Sequence, residues 1–427
     1  MRATLTYHRL RENMTNLTVA SFREKAAHGT QFVLMSSLVI FSMGQTVLFA
    51  IAGPVVRDIG LTEFQFGIIV SAAALIFVVG SPLWGRVSDR IEPSRIIVLG
   101  MMIYSIASLT FVLLLSMGLT GRISTTILFL SLLGVRVAYA VFGSGIQPAA
   151  IALMSSRSNT ETRTSAITCV SASLGAGMIL GPAFAVIFMP WGPLAALYVI
   201  AGLGLIAALF MLINLGDTQN ANPSASDCVF LDWHPLWPVL AMALLLFTAA
   251  SAIQQTLAFH VQDLLMLNTA DTAKASGGCF LVMACTNIAA QGTIIRYKSL
   301  SAMKLLAIGL PIMVCGGAAY ATSTNYLQLL LSSALLGLAV GALHPGLLAT
   351  ASLSACNQNQ GVIAGVMQAM IALGFVVGPL LGTALYGLSP VATQSLIHFC
   401  TVTMASIGVY QWCRNRRAPH CSSYIES

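Results

Sequence analysis

The sequence predicts an all-α membrane protein of twelve transmembrane helices in two pseudo-symmetric six-helix bundles. Three observations lead there. Of the 427 residues, 57% are hydrophobic and 8% charged, with mean hydropathy +0.85, whereas soluble domains carry about a quarter charged residues. Apolar runs of membrane-spanning length recur along the whole chain. The chain also repeats itself. Pro148 is followed 33 residues on by Gly181, which closes Gly177-Met-Ile-Leu-Gly181-Pro182, and Pro345 is followed at the same distance by Gly378, which closes Gly374-Phe-Val-Val-Gly378-Pro379. A second block agrees: Gln45-Thr46, Phe49 and Gly67 recur with identical internal spacing as Gln255-Thr256, Phe259 and Gly277. One Gly-x-x-x-Gly says little in helices rich in small residues. Two blocks in the same order point to duplication, and repeated halves suit a transporter in which one half rocks against the other.

The spans are expected at 31–54, 65–86, 95–118, 124–147, 165–188 and 193–214, then at 236–260, 276–295, 302–322, 326–349, 362–386 and 391–413, the eighth being the least apolar. The domain plan is therefore a tail over 1–30, a bundle over 31–214, a linker over 215–235, a second bundle over 236–413 and a tail over 414–427. The linker holds Asp217, Asp227 and Asp232, has no Lys or Arg, and shows no periodicity, so it reads as a connection rather than a third domain.

Orientation follows from the loop cations. Of the 20 Lys and Arg, 16 fall in the two tails and in the loops after spans 2, 4 and 8, while Arg57, Arg122 and Lys274 lie on the other side and Arg136 lies inside a span. Both termini are thus expected in the cytoplasm of a plasma (bacterial inner) membrane protein. This bias accounts for the net charge of +7, so nucleic acid need not be invoked. The first 30 residues are polar and basic and lack the apolar stretch of a signal peptide. The nine cysteines form no CxxC pair, so neither a metal site nor a disulfide framework is indicated. No cofactor is implied, and the absence of Gly-x-x-x-x-Gly-Lys-Ser/Thr argues against ATP as the direct energy source.

The chemistry concentrates in a few places. After span 2 comes Gly85-Arg86-Val87-Ser88-Asp89-Arg90-Ile91-Glu92-Pro93-Ser94-Arg95. It resembles the cytoplasmic loop signature of the major facilitator superfamily, with Gly85, Asp89 and Arg90 matching, Val87 in place of Leu, and Glu92-Pro93 where Gly and a basic residue are expected. The resemblance implies a conformational latch in which carboxylate and guanidinium bond in one state and part in the other. Gly85 would allow close helix approach, and Arg163 is the expected additional partner.

Span 5 resembles the motif of the antiporter branch of that superfamily through Gly177, Gly181 and Pro182, although Thr168 and Ala185-Val186 replace its outer glycines. Gly374, Gly378 and Pro379 would be the counterpart in span 11. Glycines admit close packing, and Pro182 removes a backbone donor and bends the helix.

Arg136, inside span 4, resembles the superfamily's basic residue linked to proton coupling. A mid-membrane arginine costs at least about 2.5–3.5 kcal/mol and calls for a partner or a wet cavity, yet no span interior holds an Asp or Glu. Either backbone and polar side chains solvate Arg136, or an anionic group on the cargo meets it. Since Arg does not release its proton, a proton carrier is sought in Asp58, Asp263, Asp89 or a histidine. His344 precedes Pro345 as Gln147 precedes Pro148, and a His is suited to titrate near neutral pH. Gln45 and Thr46 in span 1, with Gln254, Gln255 and Thr256 in span 7, would face each other across the cavity, or else bond between helices for about 0.6 kcal/mol apiece.

The resemblance implies a secondary transporter of the drug/proton antiporter branch, monomeric, exporting a small organic molecule in exchange for protons. The cargo would be an anion such as a siderophore or metabolite, or a drug. Uptake of a metabolite is the alternative within transport. A membrane-embedded receptor or enzyme is the alternative outside it, opposed by the duplication and by the lack of a Ser/His/Asp or metal-ligand cluster.

Overall fold

A computed structural model describes residues 31–51, 53–88, 91–156, 163–214, 236–296, 301–353 and 360–417. They form helices α1 (Gln31–Ile51), α2 (Glu63–Ser88), α3 (Pro93–Leu119), α4 (Thr125–Gly143), α5 (Ile146–Ser156), α6 (Arg163–Phe188), α7 (Ala195–Asn214), α8 (Trp237–Leu265), α9 (Thr269–Arg296), α10 (Ala302–Ala321), α11 (Tyr326–Leu353), α12 (Gln360–Leu388) and α13 (Pro390–Arg417). The two tails and the 215–235 linker fall outside the described residues.

With α4 and α5 counted as one span, these are the twelve expected, six before the linker and six after. Among the described residues, eleven spans are long and apolar enough to cross a bilayer, and Thr269–Ile294 has the lowest mean hydropathy, 1.2. Helix α13 is present but falls outside those eleven. It carries Thr393, Gln394, His398 and Thr401 among its apolar residues and ends on Arg414, Arg416 and Arg417.

Two boundaries differ from expectation in ways that matter. The fourth span continues through Gln147 and Pro148 to Ser156 instead of ending near 147, with a turn at Ser144–Gly145. Pro148 cannot donate to the carbonyl four residues back, and that carbonyl, on Ser144, instead accepts from Ser81 Oγ at 3.1 Å. The amide of Gly145 has moved to Phe142 O at 3.1 Å, freeing Val141 O for Trp84 Nε1 at 2.6 Å. A Cβ at Gly145 would lie 2.9 Å from the Trp84 ring, so a glycine is needed for α2 to dock. The seventh span runs to Leu265 rather than 260, which puts Asp263 on a helix instead of in a loop.

The packing displays the duplication directly. In the first half, α6 lies on α1: a Cβ at Gly181 would fall 1.9 Å from Thr46 Oγ1, and one at Gly177 2.4 Å from Val39 O. In the second half α12 lies on α8: a Cβ at Gly378 would fall 1.9 Å from Ser251 Oγ, and one at Gly374 2.7 Å from Phe247 Cβ. Backbone contact this close admits no side chain. Polar bonds repeat it, with Thr46 Oγ1 donating to Gly177 O at 3.5 Å and Ser251 Oγ to Gly374 O at 2.8 Å.

Candidate functional site

The two repeat blocks meet across the boundary between the halves. Gly67 of α2 faces α12, where an added Cβ would strike Thr383 Oγ1 at 1.9 Å and Pro379 O at 3.0 Å. Gly277 of α9 faces α6, where it would strike Val186 Cγ2 at 2.7 Å and approach Pro182 O at 3.6 Å. Gly67 and Gly277 belong to one block and the Gly-Pro motifs to the other, so each glycine seats the partner half's proline. The sequence departure at Val186 is thereby accommodated: a larger side chain on α6 fits because its neighbour is glycine, as Thr383 fits against Gly67.

Beyond these contacts the halves are strapped by charge. Arg57, just past α1, grips Asp263 of α8 with both arms, Nη1 to Oδ1 at 2.5 Å and Nη2 to Oδ2 at 3.0 Å. Its Nε donates to Glu63 Oε1 at 2.8 Å and Nη1 also to Gln262 Oε1 at 3.1 Å. Tyr386 of α12 donates to Asp263 Oδ2 at 2.6 Å, and the guanidinium lies 4.9 Å from the Phe259 ring centroid. Nearby, Thr269 bonds Asp58 and Ser276 Oγ donates to Ala50 O at 3.1 Å, both across the boundary. Burial alone would lower the Arg57 pKa, but the hydrogen bonds to Asp263 and Glu63 override it and hold the group above the ordinary guanidinium value. Arg57 therefore stays charged. This end of the molecule, the one expected on the outer side, is closed.

Sequence reasoning named Asp263 among the candidate proton carriers but did not join it to Arg57 and Glu63. A signal was present: Val56-Arg57-Asp58 ends the first span much as Val261-Gln262-Asp263 ends the seventh. The packing supports that register, since a Cβ at Gly53 would lie 2.8 Å from Ala258 Cβ and Thr46 matches Ser251. Gln45-Thr46 and Gln255-Thr256 are thus alike in sequence but differ in place, with Gln255 a turn further along its helix.

The expected cavity residues separate accordingly. Gln45 turns into its own half and donates from Nε2 to Tyr139 OH at 2.7 Å, so it does not face Gln255. Gln255 is buried on α8 with neither amide atom hydrogen-bonded, and Gln254 is half-buried. Gln147 is exposed on α5, and His344 of α11 stands edge-on to Phe247 at 5.2 Å between centroids.

Arg136 occupies a small pocket between α1, α3, α4 and α7, lined among others by Gln45, Tyr104, Ser108, Phe111 and Tyr139. The guanidinium lies 5.1 Å from the Phe111 centroid and 5.6 Å from that of Tyr139, and its buried Nε has no hydrogen-bond partner. The pocket has a volume of about 30 Å³, room for two or so small species at roughly 10–15 Å³ each. An organic cargo is far larger, so the expectation that its anionic group meets Arg136 is not satisfied by this pocket as it stands.

At the opposite end, Asp89 and Arg90 lie outside the described residues, as does the Arg163 side chain. A Cβ at Gly85 would meet nothing within 4 Å, so Gly85 is not at a close helix approach while the far end is closed. The departure at Glu92-Pro93 has a local explanation. Pro93 begins α3, where its missing N–H is harmless, and Glu92 accepts from Ser94 Oγ at 2.6 Å and Arg95 Nε at 3.2 Å.

Two helical halves that touch through matched glycine–proline contacts, closed by a charged strap at one end, define a membrane transporter of the rocking type. The profile of the Major Facilitator Superfamily matches residues 34–379, and the chain belongs to that family. It is a transporter and not an enzyme. The chain is 23% identical over 372 residues to "Multidrug resistance protein 2" of Bacillus subtilis (strain 168), covering 84% of this chain and 88% of the relative. It is 20% identical over 361 residues to "Quinolone resistance protein NorA" of Staphylococcus aureus (strain COL), covering 83% and 89%. In structure it resembles a bacterial homolog of the human lysosomal transporter Spinster in an inward-facing, occupied conformation, with TM-score 0.71 and 13% identity over 90% of this chain and 96% of that one.

Proposed function

We propose that the protein exports small organic molecules of drug type across the plasma (bacterial inner) membrane in exchange for protons, working as a monomer with both termini in the cytoplasm. The relatives named for multidrug and quinolone resistance support the direction and the cargo class. The orientation rests on the distribution of Lys and Arg. The observation that carries the coupling reading is the placement of Asp263 between Arg57, Gln262 and Tyr386 at the boundary of the halves.

In this reading Asp263 is the coupling carboxylate. With the outer end open it stands away from Arg57 and takes a proton from the outer side. Closure returns the guanidinium, whose hydrogen bonds demand an ionised partner, so the carboxyl proton leaves Asp263 for the water of the cavity between the halves and is released inside as that cavity turns inward. Cargo then binds between the halves and reverses the rocking. Retention by cells tests the direction: cells producing the intact protein should hold less fluoroquinolone than cells lacking it, and cells producing Asp263→Asn should hold as much as cells lacking it. Greater retention that follows an imposed gradient would favour uptake.

A further inference from the structure

The pocket around Arg136 has a chemistry that transport of an organic molecule does not use. Its four walls, α1, α3, α4 and α7, contain not one Asp or Glu. Among the described residues no ion pair reaches the guanidinium, and its Nε is buried without a hydrogen-bond partner. Aromatic faces of Phe111 and Tyr139 offset part of the charge, but ring contacts neither accept the Nε–H nor supply a countercharge. An uncompensated buried charge is expensive, so something should sit there.

What surrounds the guanidinium is a set of donors. Tyr139 OH already accepts from Gln45 Nε2 at 2.7 Å, which leaves its own hydrogen to be donated. Tyr104 and Ser108 bring two more hydroxyls to the same pocket, each able to donate one hydrogen. Gly44 keeps the space open on the α1 side, because a Cβ there would fall 1.7 Å from Tyr104 OH. Arg136, Tyr139, Tyr104 and Ser108 thus line a cavity of about 30 Å³ with groups able to donate to one small acceptor. Water would satisfy the hydrogen bonds but bring no charge.

We propose that this pocket is a binding site for one small monovalent inorganic anion of chloride size, held inside the first half as the standing counter-ion of Arg136. The anion is a structural ligand, apart from the cargo and from Asp263. It neutralises the charge on α4 and ties α1, α3 and α4 together through shared donors. The proposal concerns binding alone, so it can be tested without knowing the cargo and without any transport.

The test is a stability titration of the purified full-length protein in detergent. Tm is followed as sodium chloride replaces sodium gluconate at constant ionic strength, with a parallel series in sodium acetate. Tm should stay flat at low chloride and then climb with the logarithm of chloride concentration once it passes the dissociation constant, as mass action on a single site requires, and bromide should act likewise. Arg136→Gln should abolish the chloride-dependent rise. Ser108→Ala, a milder change that keeps the charge, should move the chloride concentration at which the rise begins upward by roughly tenfold or more, since a hydrogen bond to a charged group is lost. A flat response of the unmodified protein, a rise that acetate produces and chloride does not, or a rise that survives unchanged in both variants would overturn the proposal. Should Arg136→Gln fail to fold, Ser108→Ala and equilibrium dialysis of radioactive chloride decide it, with one anion bound per chain expected and none overturning it.

Discussion

Replacing Asp263 with Asn is the most informative single perturbation of the closed end. The carboxylate receives two bonds from Arg57 and one from Tyr386. Asn keeps the size and one acceptor oxygen but removes the charge, so the two-armed ion pair becomes at best a single bond from the guanidinium to a neutral oxygen. Bonds to charged groups contribute about 1.5–3 kcal/mol each against about 1 for neutral ones. The side chains are 24% and 40% exposed at Arg57 and Asp263, and water there reduces such values toward those of surface pairs. The closed end should therefore lose about 1–3 kcal/mol, which shifts the balance toward outer opening roughly 5- to 150-fold. Spin labels on the outer ends of the two halves, at Thr120→Cys and Leu388→Cys in a cysteine-depleted background, report this by double electron–electron resonance. The long-distance population should grow in Asp263→Asn and should grow in the unmodified protein on acidification. An identical distance distribution in the two proteins would refute the reasoning that this strap holds the halves together.

Other expectations follow from the packing. Gly67→Ala and Gly277→Ala each place a methyl inside the contact of an opposing helix, at 1.9 Å from Thr383 Oγ1 and 2.7 Å from Val186 Cγ2. Overpacking costs about 1–3 kcal/mol, here charged to the closed outer state alone, so both variants should mimic Asp263→Asn in the spin-label measurement while folding normally. Gly181→Leu should part α6 from α1, where even a Cβ meets Thr46 Oγ1 at 1.9 Å, and abolish accumulation against a gradient in vesicles. Asp89→Asn should stop transport while the protein still reaches the membrane at normal amount by immunoblot; undiminished transport would make the loop after α2 ornamental.

Much of the architecture was legible because duplication leaves marks at positions that tolerate only one kind of residue. Gly67, Gly277, Gly181 and Gly378 sit where a Cβ would collide with another helix, so their spacing in the sequence is a record of helix crossings. The register of the Gln-Thr pairs misled because Gln45 and Gln255 meet no such constraint, one bonding Tyr139 and the other lying buried. The Arg57 strap escaped notice since its members come from separate helices of both halves and only the folded chain brings them within bonding distance. Arg136 was recognisable by its depth, but its surroundings were not, because Tyr104 and Ser108 arrive from α3 and carry no motif of their own. The end of α5 and the reach of α8 were misjudged for a simpler reason: hydropathy marks where lipid ends, and helices continue past it.

Exchange of protons for cargo is the central claim, and proton movement tests it most directly. Everted membrane vesicles containing the protein are acidified inside, and a pH-sensitive dye follows the gradient as a fluoroquinolone is added. Export by antiport predicts that the drug discharges part of the gradient in vesicles with the intact protein, and that Asp263→Asn vesicles and protein-free vesicles hold it. Drug entering the vesicles with no loss of the gradient, or equal discharge by Asp263→Asn, would contradict the account.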